Sequence, residues 1–382
     1  MFFRIFDRYI WKQIAFTTLT GVLVLTGVMV LGNVFKEMQR LLGDTSSLPF
    51  LLILKFISYI IPYSLIFTIP WALLTAILLV FGRMSADNEM TALRMTGMSM
   101  TRICAPVFVL AVILSSVCYF VNVELAPIAK TKVKRLFYDL TLDDPAMLFQ
   151  PGKVLDKFPG YRIYTRKRDG NKLQDVEIIE TINGGRKASR YIRAQRAEVE
   201  ITPGVTDFIL RLHSFHLETT DDPNVDPPDL INALRSVDSK EMAITFPLSK
   251  LKEKTERINS SMKDTSSLWS EVQTGANSVD GIKMTKQMLS ASKTELSMRY
   301  SFSFAALVFT LIGIPLAITA QRRETSIGFA LSLIVAVSYI FIIIFANTVN
   351  EQASLYPHLL MWLPNIIFIF IGWRLFNKLS RR

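Results

Sequence analysis

The chain has few of the residues on which common catalytic and metal sites depend. Its 382 residues include two cysteines and three histidines, and no Cys/His spacing typical of a zinc site occurs. The sequences H-E-x-x-H and G-x-S-x-G, which mark common metalloproteases and serine hydrolases, are also absent. We therefore expect no catalytic residue, no metal and no cofactor, which argues against a membrane enzyme that acts on lipid.

The few cysteines and histidines also fail to form pairs. Cys104 and Cys118 lie in one apolar run, too far apart along a helix for a disulfide. His213 and His216 lie on a predicted strand, where residues three apart point to opposite faces. The soluble part of the chain is therefore expected to fold without disulfides, and the histidine pair is not expected to bind a metal.

An energy source is missing as well. The phosphate-binding sequence G-x-x-x-x-G-K-[ST] does not occur, so any ATP hydrolysis must take place on another polypeptide. The apolar runs contain no carboxylate or histidine at mid-depth, and Glu124 lies near the end of its run. An ion-coupled mechanism, which uses such residues as relays, is disfavoured.

What the sequence does contain is a set of long apolar runs. Half of the residues are hydrophobic and a fifth are charged, and the two kinds are segregated. Six segments approach the length needed to cross a bilayer; they are 14–35, 50–81, 103–126, 299–320, 326–348 and 358–377. Pro62 and Pro70 predict a bent second span, and Gly313 with Pro315 predicts a kink in the fourth.

Lys and Arg in the short loops predict the orientation. They are concentrated in the N-terminal arm, the 82–102 loop, the Arg322–Arg323 pair and the C-terminal tail, against Lys36 and Arg40 on the other side. Both termini are therefore expected in the cytoplasm, with residues 127–298 outside it. Because the basic residues flank apolar runs, the net charge of +11 suits a membrane surface better than a nucleic acid.

The segment between the third and fourth spans has the pattern of short strands. Partly alternating β-branched and aromatic residues lie at 161–165, 176–180, 191–201, 207–218 and 241–246, separated by Gly, Pro, Asn and Asp. The predicted fold class is an α-helical membrane protein with six transmembrane helices and an all-β, jelly-roll-like periplasmic domain. The predicted divisions are a membrane lobe at 1–126, a β-domain at 127–250, a connector at 251–298 and a second lobe at 299–382.

A short cytoplasmic stretch, residues 81–99 (FGRMSADNEMTALRMTGMS), joins the second and third spans. Ser85 or Asp87 can cap a short helix within about 83–101, and Gly97 can end it. Glu89 and Arg94 then lie at the ends that suit their charges. Met90, Leu93 and Met95 are expected to be available to a groove on a partner protein; the alternative is an ordinary amphipathic loop at the membrane surface.

This stretch resembles a segment of the lipopolysaccharide-export permease family LptF/LptG (YjgP/YjgQ). Similar blocks follow in the same order: residues 122–127 (NVELAP), the run from Phe304 to Ala317, residues 328–332 (GFALS) and residues 362–365 (WLPN). The resemblance covers both membrane lobes. It implies a permease subunit of an ABC transporter that extracts lipopolysaccharide from the inner membrane and passes it toward the outer membrane.

The resemblance also implies partners. They are a second LptF/LptG-type permease in a heterodimer, an LptB-type ATPase dimer and an LptC/LptA-type periplasmic bridge. In the family the glutamate of the coupling helix engages the ATPase, a role that falls on Glu89. The expected coupling residues are Arg83, Asp87, Glu89, Leu93, Arg94 and Gly97.

An anionic glycolipid needs a basic rim at the outer leaflet. Candidate contacts with lipid phosphates are Lys36, Arg40, Lys130, Lys132 and Arg135, with Lys134 beside them; the alternative is that these side chains extend to ordinary lipid headgroups. Small residues could form the seam with the partner permease, where the family places its lateral gate, or could serve internal packing. They are Gly21, Gly27, Gly32, Gly328 and Ser332.

A second hypothesis is a mechanotransmitting membrane protein that relays ATP-driven motion without conducting lipid. Proteins of that kind usually carry the large domain between the first two of four spans. Here the domain follows the third of six, which favours the permease.

Overall fold

The structure is a computed structural model that describes residues 5–41, 50–156, 158, 160–182, 187–201, 207–220, 234–247, 260–274, 286–319, 325–350 and 352–381. Two compact units are present. The first, here called the membrane unit, comprises residues 1–31, 57–131 and 259–382. The second, the β unit, comprises residues 32–56 and 132–258.

Long helices form the first half of the chain. They are α1 (Ile5–Leu41), α2 (Phe50–Ala86), the short α3 (Glu89–Met95), α4 (Met100–Phe120), a π-helical turn (Val121–Leu125) and α5 (Ala126–Asp143). The last three follow without a break, and α2 passes through Pro62 and Pro70 as one helix. At 37 residues and about 1.5 Å per residue, α2 is longer than the hydrocarbon layer is thick.

Among the described residues after the β strands, six helices follow. They are α6 (Thr265–Thr274), α7 (Lys286–Ser303), α8 (Ala305–Thr319), α9 (Thr325–Thr348), α10 (Pro357–Leu360) and α11 (Leu363–Arg381). Short 3-10 turns lie at Pro145–Leu148, Ser260–Met262 and Ala353–Leu355.

Within the described residues, five helical segments are long and apolar enough to cross a membrane, and the bent pair α7 and α8 makes a sixth if it counts as one span. The pair bends by 42° at its junction. The break stands at Phe304, ahead of Gly313 and Pro315, where the kink stays a prediction. Gly313 also serves close packing: a Cβ there would lie 3.0 Å from Leu74 Cδ1.

The second span is the centre of the membrane unit. In the most apolar 18-residue window of α2, 67% of the residues are buried; in the corresponding window of α1, 17% are buried. Leu73, Leu74 and Ile77 of α2 pack in one apolar core with residues of α4, α8, α9 and α11. The connector predicted at 251–298 has no clear end at 298, because α7 runs on to Ser303; residues 248–259 and 275–285 lie outside the described residues.

The β unit contains a single six-stranded antiparallel sheet with its strands in sequence order. The strands are β1 (Val154–Leu155), β2 (Tyr161–Asp169), β3 (Lys172–Ile182), β4 (Lys187–Ile201), β5 (Asp207–Thr220) and β6 (Leu234–Pro247). One face packs on an apolar core that includes Phe149, Phe158, Phe208 and Phe246. Each of the five predicted strand segments overlaps an observed strand, and the predicted class, a helical membrane protein with an all-β domain, is confirmed.

One row of the sheet departs from regular pairing. Asp175 and Ser214 have backbone φ values of 51° and 52°, which residues other than glycine rarely adopt. In strands β2 to β6, the residues of this row are left out of the regular pairing between neighbouring strands. On β5 every second residue is buried up to Leu212, and the next buried residue is Phe215, three positions on. The alternation of buried and exposed side chains therefore shifts by one residue.

This shift corrects the prediction for the two histidines. His213 Nδ1 lies 3.4 Å from Glu241, and His216 Nδ1 lies 2.7 Å from Asp238. Both therefore face the acidic side chains of β6 on the outer face of the sheet, whereas regular alternation predicts opposite faces. Among the described residues, no group of three His, Cys, Asp or Glu side chains could hold a metal ion.

Candidate functional site

The connection between α2 and α4, here called the elbow (residues 87–99), contains the seven-residue α3. Asn88 precedes α3 with a φ of 59° and makes no side-chain cap, so the predicted cap at Ser85 or Asp87 is wrong. Ser85 still lies within α2, and its hydroxyl donates to the carbonyl of Ile318 near the end of α8 at 3.1 Å. Gly97, with a φ of 82°, donates to the carbonyl of Arg94 at 2.9 Å and follows the end of α3.

The apolar side of α3 faces the membrane unit. Met90 is 3% exposed and belongs to the central core, and the half-buried Leu93 packs against the same core. The expectation that Met90 is available to a partner is therefore wrong, because α3 needs this side chain to anchor itself. Met95 is 84% exposed.

Besides Met95, α3 and its flanks present charged groups outward. Arg83 and Asp87 are exposed, and Glu89 and Arg94 are partly exposed at opposite ends of α3. A carboxylate in the first turn of a helix and a guanidinium in the last both favour the helix dipole. The elbow is thus a short, charged element that is anchored by Met90 and open to a protein on its outer side.

A second contact ties the end of the elbow to the first span. The Arg102 guanidinium donates to Asp7 Oδ2 at 2.6 Å, and Asp7 is 2% exposed. Arg102 lies in the first turn of α4, directly after the elbow, and Ser99 caps that turn by accepting from the Arg102 amide. Sequence reasoning missed this pair, because residues 95 positions apart carry no local signal of contact.

The candidate lipid contacts divide between the two units. In the membrane unit, Lys130 lies over the ring of Tyr63 at 5.1 Å from its centroid, a cation–π contact. In the β unit, Lys36, Lys132 and Arg135 are exposed, whereas Lys134 is partly buried. The Arg40 side chain lies outside the described residues.

A buried polar cluster beside Lys130 also escaped sequence reasoning. Arg299 is 1% exposed and donates to Thr265 Oγ1 at 2.7 Å, to the Lys263 carbonyl at 2.8 Å and to Glu295 Oε1 at 3.1 Å. Thr265 donates in turn to the carbonyl of Val123 in the π-helical turn. We call Arg299, Glu295, Lys263 and Thr265 the Arg299 cluster; it fastens the 260–265 turn to the π-helical turn and to α7.

The small residues expected at the partner seam fall into two groups. A Cβ at Gly21 would lie 3.1 Å from Ala72 Cβ, and the buried Ser332 accepts from Thr75 Oγ1 at 3.2 Å. Both therefore pack on α2 within the chain, in line with the alternative of internal packing, and their place at a partner seam stays a prediction. Gly27 and Gly32 have no atom within 4 Å of an added Cβ; Gly328 is within α9, and its surroundings lie outside the described residues.

The fold and the elbow first define a class: a multi-pass helical membrane protein that carries one all-β domain. Residues 8–378 match the family described as lipopolysaccharide export system permease LptF/LptG. Because the match covers nearly the whole chain, the chain belongs to this family of membrane permeases. A search of curated proteins finds no match.

Proposed function

We propose that the chain is one transmembrane subunit of an ABC-type exporter, which extracts lipopolysaccharide from the inner membrane and delivers it to a periplasmic bridge. Family membership supports the cargo. The sequence has no phosphate-binding loop of its own, which supports an ATPase on a separate chain. Both termini face the cytoplasm in this proposal, and the β unit lies in the periplasm.

The observation that carries the proposal is the elbow. Its charged side is open, while Met90 fixes its apolar side in the core. A short helix that is held by one face and free on the other can be moved by a protein that docks there. Glu89 is the residue assigned to the ATPase contact, with Arg83, Asp87, Leu93, Arg94 and Gly97 shaping the surface around it.

The cargo side of the proposal depends on basic residues. Lipopolysaccharide carries phosphates, which Lys and Arg bind by charge-assisted hydrogen bonds. Lys36, Arg40, Lys130, Lys132 and Arg135 are assigned to this role. Photocrosslinkers at Lys36 are expected to form lipopolysaccharide adducts in native membranes; a relay that moves without conducting lipid gives none, and that result would favour mechanotransmission.

The remaining partners follow from the surfaces that stay open. On α1, Leu23, Val28 and Phe35 are exposed apolar side chains, and Gly27 and Gly32 thin the helix beside them. This surface is assigned to the second LptF/LptG-type permease, since small residues allow close helix contact within a membrane. The β unit is assigned to the LptC/LptA-type bridge.

The decisive experiment is Glu89→Ala in the tagged chain, expressed in its own host and purified from membranes. We expect the variant to reach the membrane but to lose most of the co-purified ATPase, because one charge-assisted contact at the centre of a small interface is removed. Thr91→Ala is the matched control, since Thr91 is an exposed residue of the same helix.

Recovery of the ATPase and lipid release at wild-type levels in Glu89→Ala would refute the coupling assignment. Loss of both in Thr91→Ala as well would show that α3 is merely sensitive to substitution.

A further inference from the structure

The Asp7–Arg102 pair is placed where the elbow meets the first span. Asp7 lies near the start of α1, and Arg102 lies in the first turn of α4. The Nη2 to Oδ2 distance is 2.6 Å, and the Asp7 carboxylate is almost fully enclosed whereas Arg102 is about a third exposed. An enclosed carboxylate paired with a guanidinium makes a strong, directional contact.

Further along α1 the buried side chains are sparser, with Gly21 against Ala72 and a hydrogen bond of 2.9 Å between Thr26 and Thr68 as contacts with α2. The buried side chains of α1 within the membrane unit are confined to one stripe, with Ile10, Ile14 and Thr18 following Asp7 and Val30 further along. Outside that stripe, Leu19, Leu23 and Val28 are exposed. The contacts of α1 are therefore densest near its N-terminal end, which is the end that touches the elbow side of α4.

The end of α2, directly before the elbow, is joined to α8 through the hydrogen bond from Ser85 to the Ile318 carbonyl. A displacement of α3 reaches α2 and α4 through the covalent chain, and it reaches α8 through this bond. The Asp7–Arg102 pair adds a charged link from the start of α4 to α1.

From this placement we infer that Asp7 and Arg102 are positioning residues that transmit movement of the elbow to the first span. The inference rests on the proposed function, because it presumes that an ATPase moves the elbow. The link makes α1 follow the start of α4 and leaves binding of the ATPase to the charged side of α3. Breaking it should separate ATP hydrolysis from movement of α1.

The test uses the complex purified with its ATPase and reconstituted in nanodiscs. Cys104 and Cys118 are replaced by alanine, and spin labels are attached at Phe16→Cys on α1 and Val112→Cys on α4, both exposed positions. The distance between the labels is measured with and without ATP. Asp7→Asn is compared with the parent, and Arg102→Lys serves as the conservative variant that keeps the charge.

We expect the Asp7→Asn complex to bind the ATPase and to hydrolyse ATP as the parent does. It should lose the ATP-dependent change in the distance between the labels. Lipopolysaccharide released to a soluble acceptor per ATP hydrolysed should fall about fivefold or more, the lower range of measured couplings between sites. Arg102→Lys should retain most of the ATP-dependent distance change and most of the lipopolysaccharide release. Glu200→Gln, which breaks an ion pair of similar chemistry with Arg211 in the β unit, should change neither.

An unchanged distance response in Asp7→Asn overturns the inference, and so does loss of ATPase binding in that variant, since a purely structural clamp would produce it. The proposed function is judged separately. If the parent complex hydrolyses ATP but releases no lipopolysaccharide, the cargo is wrong, whereas the label distances still decide whether Asp7 and Arg102 link the elbow to α1.

Discussion

Removal of the Arg299 guanidinium gives the sharpest test of how the segment after the β strands is held. Arg299→Met keeps much of the side-chain volume but deletes three hydrogen bonds of 3.1 Å or less, to Thr265, Lys263 and Glu295. It also leaves the Glu295 carboxylate without its ion-pair partner in a largely buried place. Breaking a buried ion pair by removing one member costs about 3–5 kcal/mol.

We take the lower end, about 3 kcal/mol, because part of the cost is recovered when neighbouring groups find other partners in a membrane. The loss should be local, since Arg299 fastens the 260–265 turn and α6 rather than the apolar core around α2. A cost of that size accelerates local opening by roughly a hundredfold.

Hydrogen exchange followed by mass spectrometry measures this opening directly. The amides of residues 260–274 should exchange roughly a hundredfold faster in Arg299→Met, while peptides from β5 keep their wild-type rates. Arg299→Lys should give an intermediate rate, since an ammonium cannot reproduce the planar set of donors. Arg211→Met, which removes an exposed pair with Glu200, is the control and should leave residues 260–274 unchanged.

An acceleration of less than about threefold in Arg299→Met would refute the reasoning, because it would correspond to well under 1 kcal/mol. The reasoning is also refuted if the effects of Arg299→Met and Glu295→Gln simply add in the double variant, since residues in one network should couple.

Two further predictions concern packing and titration. Gly313→Ala should destabilise the membrane unit by about 1–3 kcal/mol, because the added Cβ would lie 3.0 Å from Leu74 of α2. Gly27→Ala is the control, because a Cβ there has no atom within 4 Å. Equal thermal stability of the two variants in detergent would contradict this packing role of Gly313. The hydrogen bond to Asp238 raises the pKa of His216 above its ordinary value of 6.5. Protonated His216 therefore adds stability to the β unit at low pH, and this contribution is lost as the pH rises through the folded-state pKa. NMR titration of the chain's three histidines should show the raised pKa falling in Asp238→Asn, and an unchanged value would exclude Asp238 as its cause.

Several features could be read from the sequence because they depend on local pattern. Apolar length predicts the spans, since a helix must satisfy its own backbone in lipid, and five segments plus one bent pair were found. Alternating β-branched and aromatic residues predict the strands, and Glu89 and Arg94 lie at the expected ends of α3.

Other expectations failed where the decisive contact comes from elsewhere in the chain. Met90 was expected outside and lies in the core, because an amphipathic pattern shows that a helix has an apolar face but not what covers it. Gly21 and Ser332 contact α2, which the sequence did not identify, because small residues permit close packing without naming the neighbour.

By itself, then, the sequence determined the class of this protein: hydrophobic runs of membrane length, a polar segment with the period of strands, and a short charged connection between two spans are all local properties. Only the tertiary structure decided which charged residues are buried together. Apart from Glu295 on the same helix as Arg299, the partners of Asp7 and Arg299 stand far away in the chain. Burial, which sets the strength of such contacts, exists only once the helices have packed.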